Sequence, residues 1–188
     1  MKYLVAGPEL SGPETIPGAD AMLDFWNTRR ARKAAVSTIL PLVQRTRFVN
    51  GEIADDRWLD AYMIGFLTML ITRLATERVH SISTEALGIV QAAAWQDITG
   101  LPGELMGEEA CLLSAGNHAD FCRGCENADI LARALTAGKI GNWFGPSVSL
   151  VDSNTTGQRS AIDDGDISAL WSDHFEQPIF RMSHTSRT

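Results

Sequence analysis

The chain has 188 residues, enough for one domain with a substantial hydrophobic core. Its composition, 45% hydrophobic and 21% charged, is that of a globular protein, and its formal net charge of -7 argues against dedicated nucleic-acid binding or docking on anionic membranes. The three cysteines lack the spacing of a disulfide scaffold, and residues 1–8 lack the long apolar run of a signal peptide, so we predict a cytoplasmic protein with reduced thiols.

The first half of the chain predicts an arm followed by two helices. Residues 1–18 are rich in proline and glycine, which predicts an irregular, extended N-terminal arm. A first helix is predicted to begin near Asp20 and to kink or end at Pro41, since proline has no amide hydrogen. After the turn at Asn50 and Gly51, a second helix is predicted over residues 56–75.

Residues 61–72 of this second helix carry no charge and are apolar on nearly every side. Such a helix needs cover on every side, and it is too short to span a bilayer, which takes about 20 apolar residues. The cover can come from the same chain or from a second copy in a symmetric homodimer. The candidate interface, or alternatively the lining of a pocket for a small apolar ligand, consists of Tyr62, Met63, Phe66, Met69 and Trp95.

Three further helices are predicted before residue 138. Ser83 is a suitable N-cap for the third, which Gly100 would end. A short fourth helix is predicted over residues 104–113, and a fifth, capped by Asn117, runs to Gly138. The fifth carries an apolar stripe formed by Phe121, Cys125, Ala128, Ala132 and Leu135.

Residues 139–188 differ in composition and are predicted to form a partly ordered C-terminal extension. It would contain a short strand at residues 148–151 and a short amphipathic helix over residues 167–175. The sequence therefore predicts an all-α fold, a single bundle of about five helices over residues 19–138. Most of the helix is predicted to survive a cut after Gly138.

Two patterns could bind metal ions. Cys111, His118, Cys122 and Cys125 are ligands that zinc prefers, and the last three are spaced to share one side of a helix. Asp152, Asn154, Thr156 and Asp163 have the oxygen spacing of a calcium loop, although the last position holds Asp where such loops have a bidentate Glu. A solvated linker is the alternative for the calcium pattern, and core packing is the alternative for the cysteines.

Cys122 and Cys125 also form a Cys-x-x-Cys pair. Such a pair is redox-active when its first thiol lies at a helix N-terminus, whereas this pair is predicted to lie inside the helix. The basic run from Arg29 to Lys33 could contact an acidic partner, or simply form a solvated helix face.

No catalytic signature is present in the sequence. The first hypothesis is therefore a non-enzymatic helical module that works by association, as a homodimer or with another partner. The alternatives are a metal-binding or redox protein built on the cysteine and histidine cluster, and an apolar-ligand pocket between helices. No cofactor is expected apart from zinc under the second hypothesis.

Overall fold

The computed structural model describes residues 19–137 and 164–181, and within these ranges every regular element is helical. The prediction of an all-α bundle is confirmed. None of the helices in the described ranges is long and apolar enough to cross a lipid bilayer. In chain order the elements are α1 (Ala19–Asn50), α2 (Asp55–Trp58), α3 (Ala61–Arg78), α4 (Thr84–Thr99), α5 (Gly103–Ala115), α6 (Ala119–Ala137), α7 (Asp164–Trp171), a π-helical turn (Ser172–Glu176) and α8 (Gln177–Arg181). The predicted arm over residues 1–18 and the predicted strand at residues 148–151 lie outside the described residues.

Helix α1 does not end at Pro41, contrary to one of the two predicted outcomes, but continues for nine more residues to Asn50. Proline there removes the hydrogen bond that residue 41 would donate to the Ser37 carbonyl, at a cost of about 3 kcal/mol. The inner face of α1 is fully buried on both sides of the proline, for example at Ile39 and Val43. Packing of that face against the core holds the helix together across the break.

The single helix predicted over residues 56–75 is instead two helices, because a new helix begins after Asp60. The Asp60 carboxylate accepts a hydrogen bond from the Tyr62 amide at 2.9 Å, which caps α3 and separates it from the one-turn α2. The predicted cap and stop of α4 are confirmed. The Ser83 hydroxyl accepts from the Ala86 amide at 3.2 Å, and Gly100 ends the helix with φ +84°.

Helix α3 is the centre of the molecule. Six consecutive residues, 62–67, are buried, which requires cover on every side of the helix. The cover comes from the same chain, because α1, α4, α5 and α6 all pack against α3. The all-round apolar character of residues 61–72 is therefore explained within one chain, and a second copy is not needed to cover them.

Helices α3 and α6 approach until their backbones touch. A methyl group built on Gly65 would overlap the carbonyl oxygen of Phe121, and one built on Gly124 would overlap the carbonyl oxygen of Tyr62. The crossing is reciprocal, since each helix contributes one glycine to the contact. Only a residue without a Cβ allows this approach on either helix.

The C-terminal segment that we predicted as an extension packs into the same core. Trp171 is 2% exposed and Phe175 is fully buried, and their rings stack 4.0 Å apart. Both rings contact Phe66 on the central helix, with centroid distances of 6.2 and 5.8 Å. The compact part of the chain therefore includes residues 164–180 as well as the bundle before residue 138.

The π-helical turn is followed closely by Pro178, which leaves one backbone carbonyl of the turn open to another donor. Proline cannot donate the helical hydrogen bond to the carbonyl four residues earlier, that of His174. The Tyr62 hydroxyl donates to this carbonyl instead, at 2.6 Å, and accepts from the Asn127 amide nitrogen at 2.8 Å. The turn, the core helix α3 and α6 are thus joined by one hydrogen-bonded chain.

Candidate functional site

The four residues of the predicted zinc site do not share one environment. Cys111 is exposed on α5, and His118 is exposed before α6. Cys122 contacts the Asn117 side-chain oxygen through its thiol at 3.3 Å, and the Cys125 thiol donates to the Gly65 carbonyl at 3.4 Å. Among the residues that the structure describes, no three His, Cys, Asp or Glu side chains are grouped so as to hold a metal ion. The zinc site stays a prediction without structural support.

Cys125 lies against the backbone of the central helix, and its chemistry follows from that position. Burial, together with the nearby Cys122 and Glu126, raises the pKa of the Cys125 thiol to about 11. The thiolate is the reactive form of cysteine, so this thiol is a poor nucleophile near neutral pH. The position argues for a packing role and against redox chemistry at the Cys122–Cys125 pair.

Alkylation should distinguish the cysteines. Near pH 8 only about 0.1% of Cys125 is thiolate, so we expect iodoacetamide to modify the exposed Cys111 well before Cys125, as measured by peptide mass spectrometry. The raised pKa also means that the folded state is more stable with a neutral Cys125 thiol than with the thiolate. This contribution is fully present below the pKa of the unfolded chain and is lost as the pH rises toward about 11. Equal modification rates for both cysteines in the folded protein would contradict the half-buried position of Cys125.

Of the other two predicted sites, the calcium loop cannot be placed, and most of the interface or pocket residues are buried. The calcium residues, Asp152, Asn154, Thr156 and Asp163, lie outside the described residues. Of the predicted interface or pocket residues, Tyr62, Met63, Phe66 and Trp95 are at most 1% exposed, while Met69 is partly buried. The ring of Tyr62 stacks on that of Phe66, with 6.1 Å between centroids.

An open groove of about 540 Å³ lies instead on the outer side of α1, and we call it the α1 groove. Its floor is largely apolar and is formed by Val36, Leu40 and Pro41. At the end toward the start of α1, Arg29 and Lys33 form a positive rim. Arg29, Lys33, Val36 and Leu40 recur every three or four positions, so they lie along one face of the helix.

The charge of a second arginine at the rim, Arg32, is compensated by a carboxylate of the same chain. The Arg32 guanidinium donates two hydrogen bonds to the Asp97 carboxylate on α4, at 2.8 and 2.7 Å. This bidentate pair fixes the side of the groove, and the hydrogen bond with Asp97 raises the pKa of Arg32. Neither Arg29 nor Lys33 forms an ion pair with a carboxylate of the described residues. Within the described ranges, the positive charge of the groove that no carboxylate compensates is therefore that of Arg29 and Lys33.

Charge is distributed unevenly along the chain. Helix α1 holds six of the sixteen basic residues and only two of the twenty-three acidic residues. The protein is acidic overall, yet the surface around the α1 groove is positive. Such local fields steer a partner of opposite charge toward the binding surface.

The basic run from Arg29 to Lys33 was recognised in the sequence, but the groove beside it was not predicted. The missing signal was the continuation of that run: Arg29, Lys33, Val36 and Leu40 share one helix face, and all four remain at least partly exposed. No family model, curated protein or solved structure matches this chain.

Proposed function

We propose that the protein is a binding module that associates through the α1 groove with an amphipathic helix bearing acidic side chains. The observation that supports this proposal is the pairing of an apolar floor with a positive rim on one exposed helix face. Apolar side chains of the bound helix pack on Val36, Leu40 and Pro41. Its carboxylates pair with Arg29 and Lys33, which are four residues apart and match a Glu pair of the same spacing.

The shape of the groove favours a helix over a small molecule. From Arg29 to Gln44 the groove follows α1 for about 22 Å, the length of four helical turns. It is open to solvent, whereas a small-ligand pocket typically covers about 70–90% of its ligand. A helix that lies along the groove needs contact on one side only.

Nucleic acid fits the groove less well. Binding to a phosphate backbone needs several unpaired cations, and the groove offers two, since Arg32 is paired with Asp97. An apolar floor between the cations provides no contact for phosphate. The net charge of -7 also repels a polyanion.

Binding of a peptide probe tests the proposal. The probe is a synthetic helical peptide of roughly 16 residues with Glu at positions i and i+4 and Leu on the same face, and its control replaces each Glu by Lys. We expect the Glu peptide to bind, by fluorescence anisotropy, and the Lys peptide not to bind. Arg29→Glu should weaken binding by about tenfold or more, because it replaces attraction by repulsion at the rim.

Arg30→Glu is the matched control for this experiment. Arg30 is exposed on the same helix and is adjacent to Arg29, but it does not line the groove. The same charge reversal at residue 30 should therefore weaken binding far less. Equal losses for the two variants would show only long-range attraction, and no binding by either peptide would contradict the proposal.

The other hypotheses from the sequence stay predictions. These are the homodimer, the cytoplasmic location, the zinc or redox role of the cysteine and histidine cluster, and the apolar-ligand pocket between helices.

A further inference from the structure

Helix α5 presents an outer face whose chemistry is opposite to that of the α1 groove. Leu105 and Leu112, one heptad apart, are 61% and 69% exposed. Glu104 and Glu108 lie on the same side and are exposed, and α5 contains no basic residue. The face combines exposed leucines with acidic side chains that form no ion pair within the described part of the chain, which is the chemistry proposed for the occupant of the groove.

The two faces match in spacing and in length. Glu104 and Glu108 are four residues apart, as are Arg29 and Lys33. When α5 is aligned in parallel with α1 so that these pairs meet, Leu112 lies beside the apolar floor. The 13 residues of α5 span about 20 Å, close to the length of the groove.

Both faces lie beside α4, so one chain can use them together. Helix α4 contacts α1 at Asp97 and at the Ile98 carbonyl, and it contacts α5 at Ala92, whose carbonyl lies against Gly103. Residues five positions apart on a helix point about 140° from each other, so α1 and α5 flank α4. Between these directions α4 exposes Ile89, which is uncharged and 56% exposed.

We infer that the occupant of the α1 groove is helix α5 of a second copy of this chain. A surface that is positive on one side of α4 and negative on the other becomes self-complementary under a two-fold axis over α4. The axis pairs α1 of each copy with α5 of the other, so the contact forms twice in a closed dimer. This inference rests on the proposed function of the groove.

Charge-swapped variants test the inference by sedimentation at concentrations from about 1 μM to 1 mM. One variant carries Arg29→Glu and Lys33→Glu, and the other carries Glu104→Lys and Glu108→Lys. Each variant alone places like charges at both contacts, so each should sediment as a monomer of 20.5 kDa. Their equimolar mixture restores opposite charges at both contacts and should sediment at twice that mass, as the wild type should.

Every other outcome overturns the inference. A wild-type protein that stays monomeric at all concentrations excludes the second copy as occupant of the groove. Dimerisation of either variant alone would show that the dimer interface lies on another surface. A mixture that stays monomeric while both variants keep the wild-type circular dichroism spectrum refutes the α1–α5 pairing. If a double variant does not fold, Lys33→Glu mixed with Glu108→Lys gives the same readout with one contact pair per interface.

The peptide experiment separates this inference from the proposed function. A wild-type chain that binds the Glu peptide and remains monomeric refutes only the second copy as occupant. A chain that binds no peptide and remains monomeric refutes both. If the wild type dimerises through these faces, the Glu peptide should compete with the dimer and raise the monomer fraction.

Discussion

Replacing Gly65 or Gly124 by alanine is expected to destabilise the protein by about 3–5 kcal/mol, more than the usual cost of about 1–3 kcal/mol for overpacking. The added methyl group meets a backbone carbonyl of the opposite helix and not a side chain that can rotate away. Relief requires α3 and α6 to move apart, and these two helices share the most extensive helix–helix contact among the described residues. Urea unfolding followed by circular dichroism measures the loss.

Gly88→Ala is the matched control for this prediction. Gly88 also lies inside a helix, but a methyl group built on it meets nothing within 4 Å. Alanine should therefore stabilise the protein there by about 0.5–1 kcal/mol, through its higher helix propensity. If Gly65→Ala and Gly88→Ala changed stability alike, the close crossing of α3 and α6 would be refuted.

Trp171→Ala is expected to cost about 3–5 kcal/mol, since it removes a large buried ring from the aromatic cluster around Phe66. The substitution also removes the hydrogen bond that the Trp171 indole donates to the Thr46 hydroxyl at 2.9 Å. Thr46 is fully buried and donates in turn to the Glu176 carboxylate at 2.7 Å. The measurement is the midpoint and free energy of unfolding in urea.

Trp26→Ala is the control for Trp171→Ala, because the same residue type is 57% exposed at that position. It should change the free energy of unfolding by no more than about 0.5 kcal/mol.

The burial of Trp171 also reverses the expectation for a chain cut after Gly138. That chain loses Trp171, Phe175 and Ile179 from the core and should unfold, whereas a cooperative transition like that of the full chain would show that these residues only cover the surface.

Local sequence signals predicted those parts of the fold that depend on neighbouring residues. The cap at Ser83 and the stop at Gly100 depend on groups within one turn, so they could be inferred from residue type. The buried stripe of α6 follows from its helical spacing, and Phe121, Ala128 and Ala132 are indeed buried.

Features that depend on distant residues could not be predicted in this way. Helix α1 continues past Pro41 because its inner face is buried against other helices, which no local pattern indicates. The choice between core and interface for α3 depends on how many helices surround it. The side of the α1 groove depends on the pairing of Arg32 with Asp97, which are 65 residues apart. The core position of Trp171 depends on its contact with Phe66, which is likewise distant in the sequence.

The central position of α3 has a consequence for synthesis of the chain. Its cover comes partly from α6 and from the aromatic residues of the C-terminal segment, which leave the ribosome after it. At about 5–20 residues per second, the interval between Phe66 and Phe175 lasts roughly 5–20 s. During that time the central helix of the nascent protein lacks its final neighbours, so α3 can reach its fully buried state only after residue 175 has emerged.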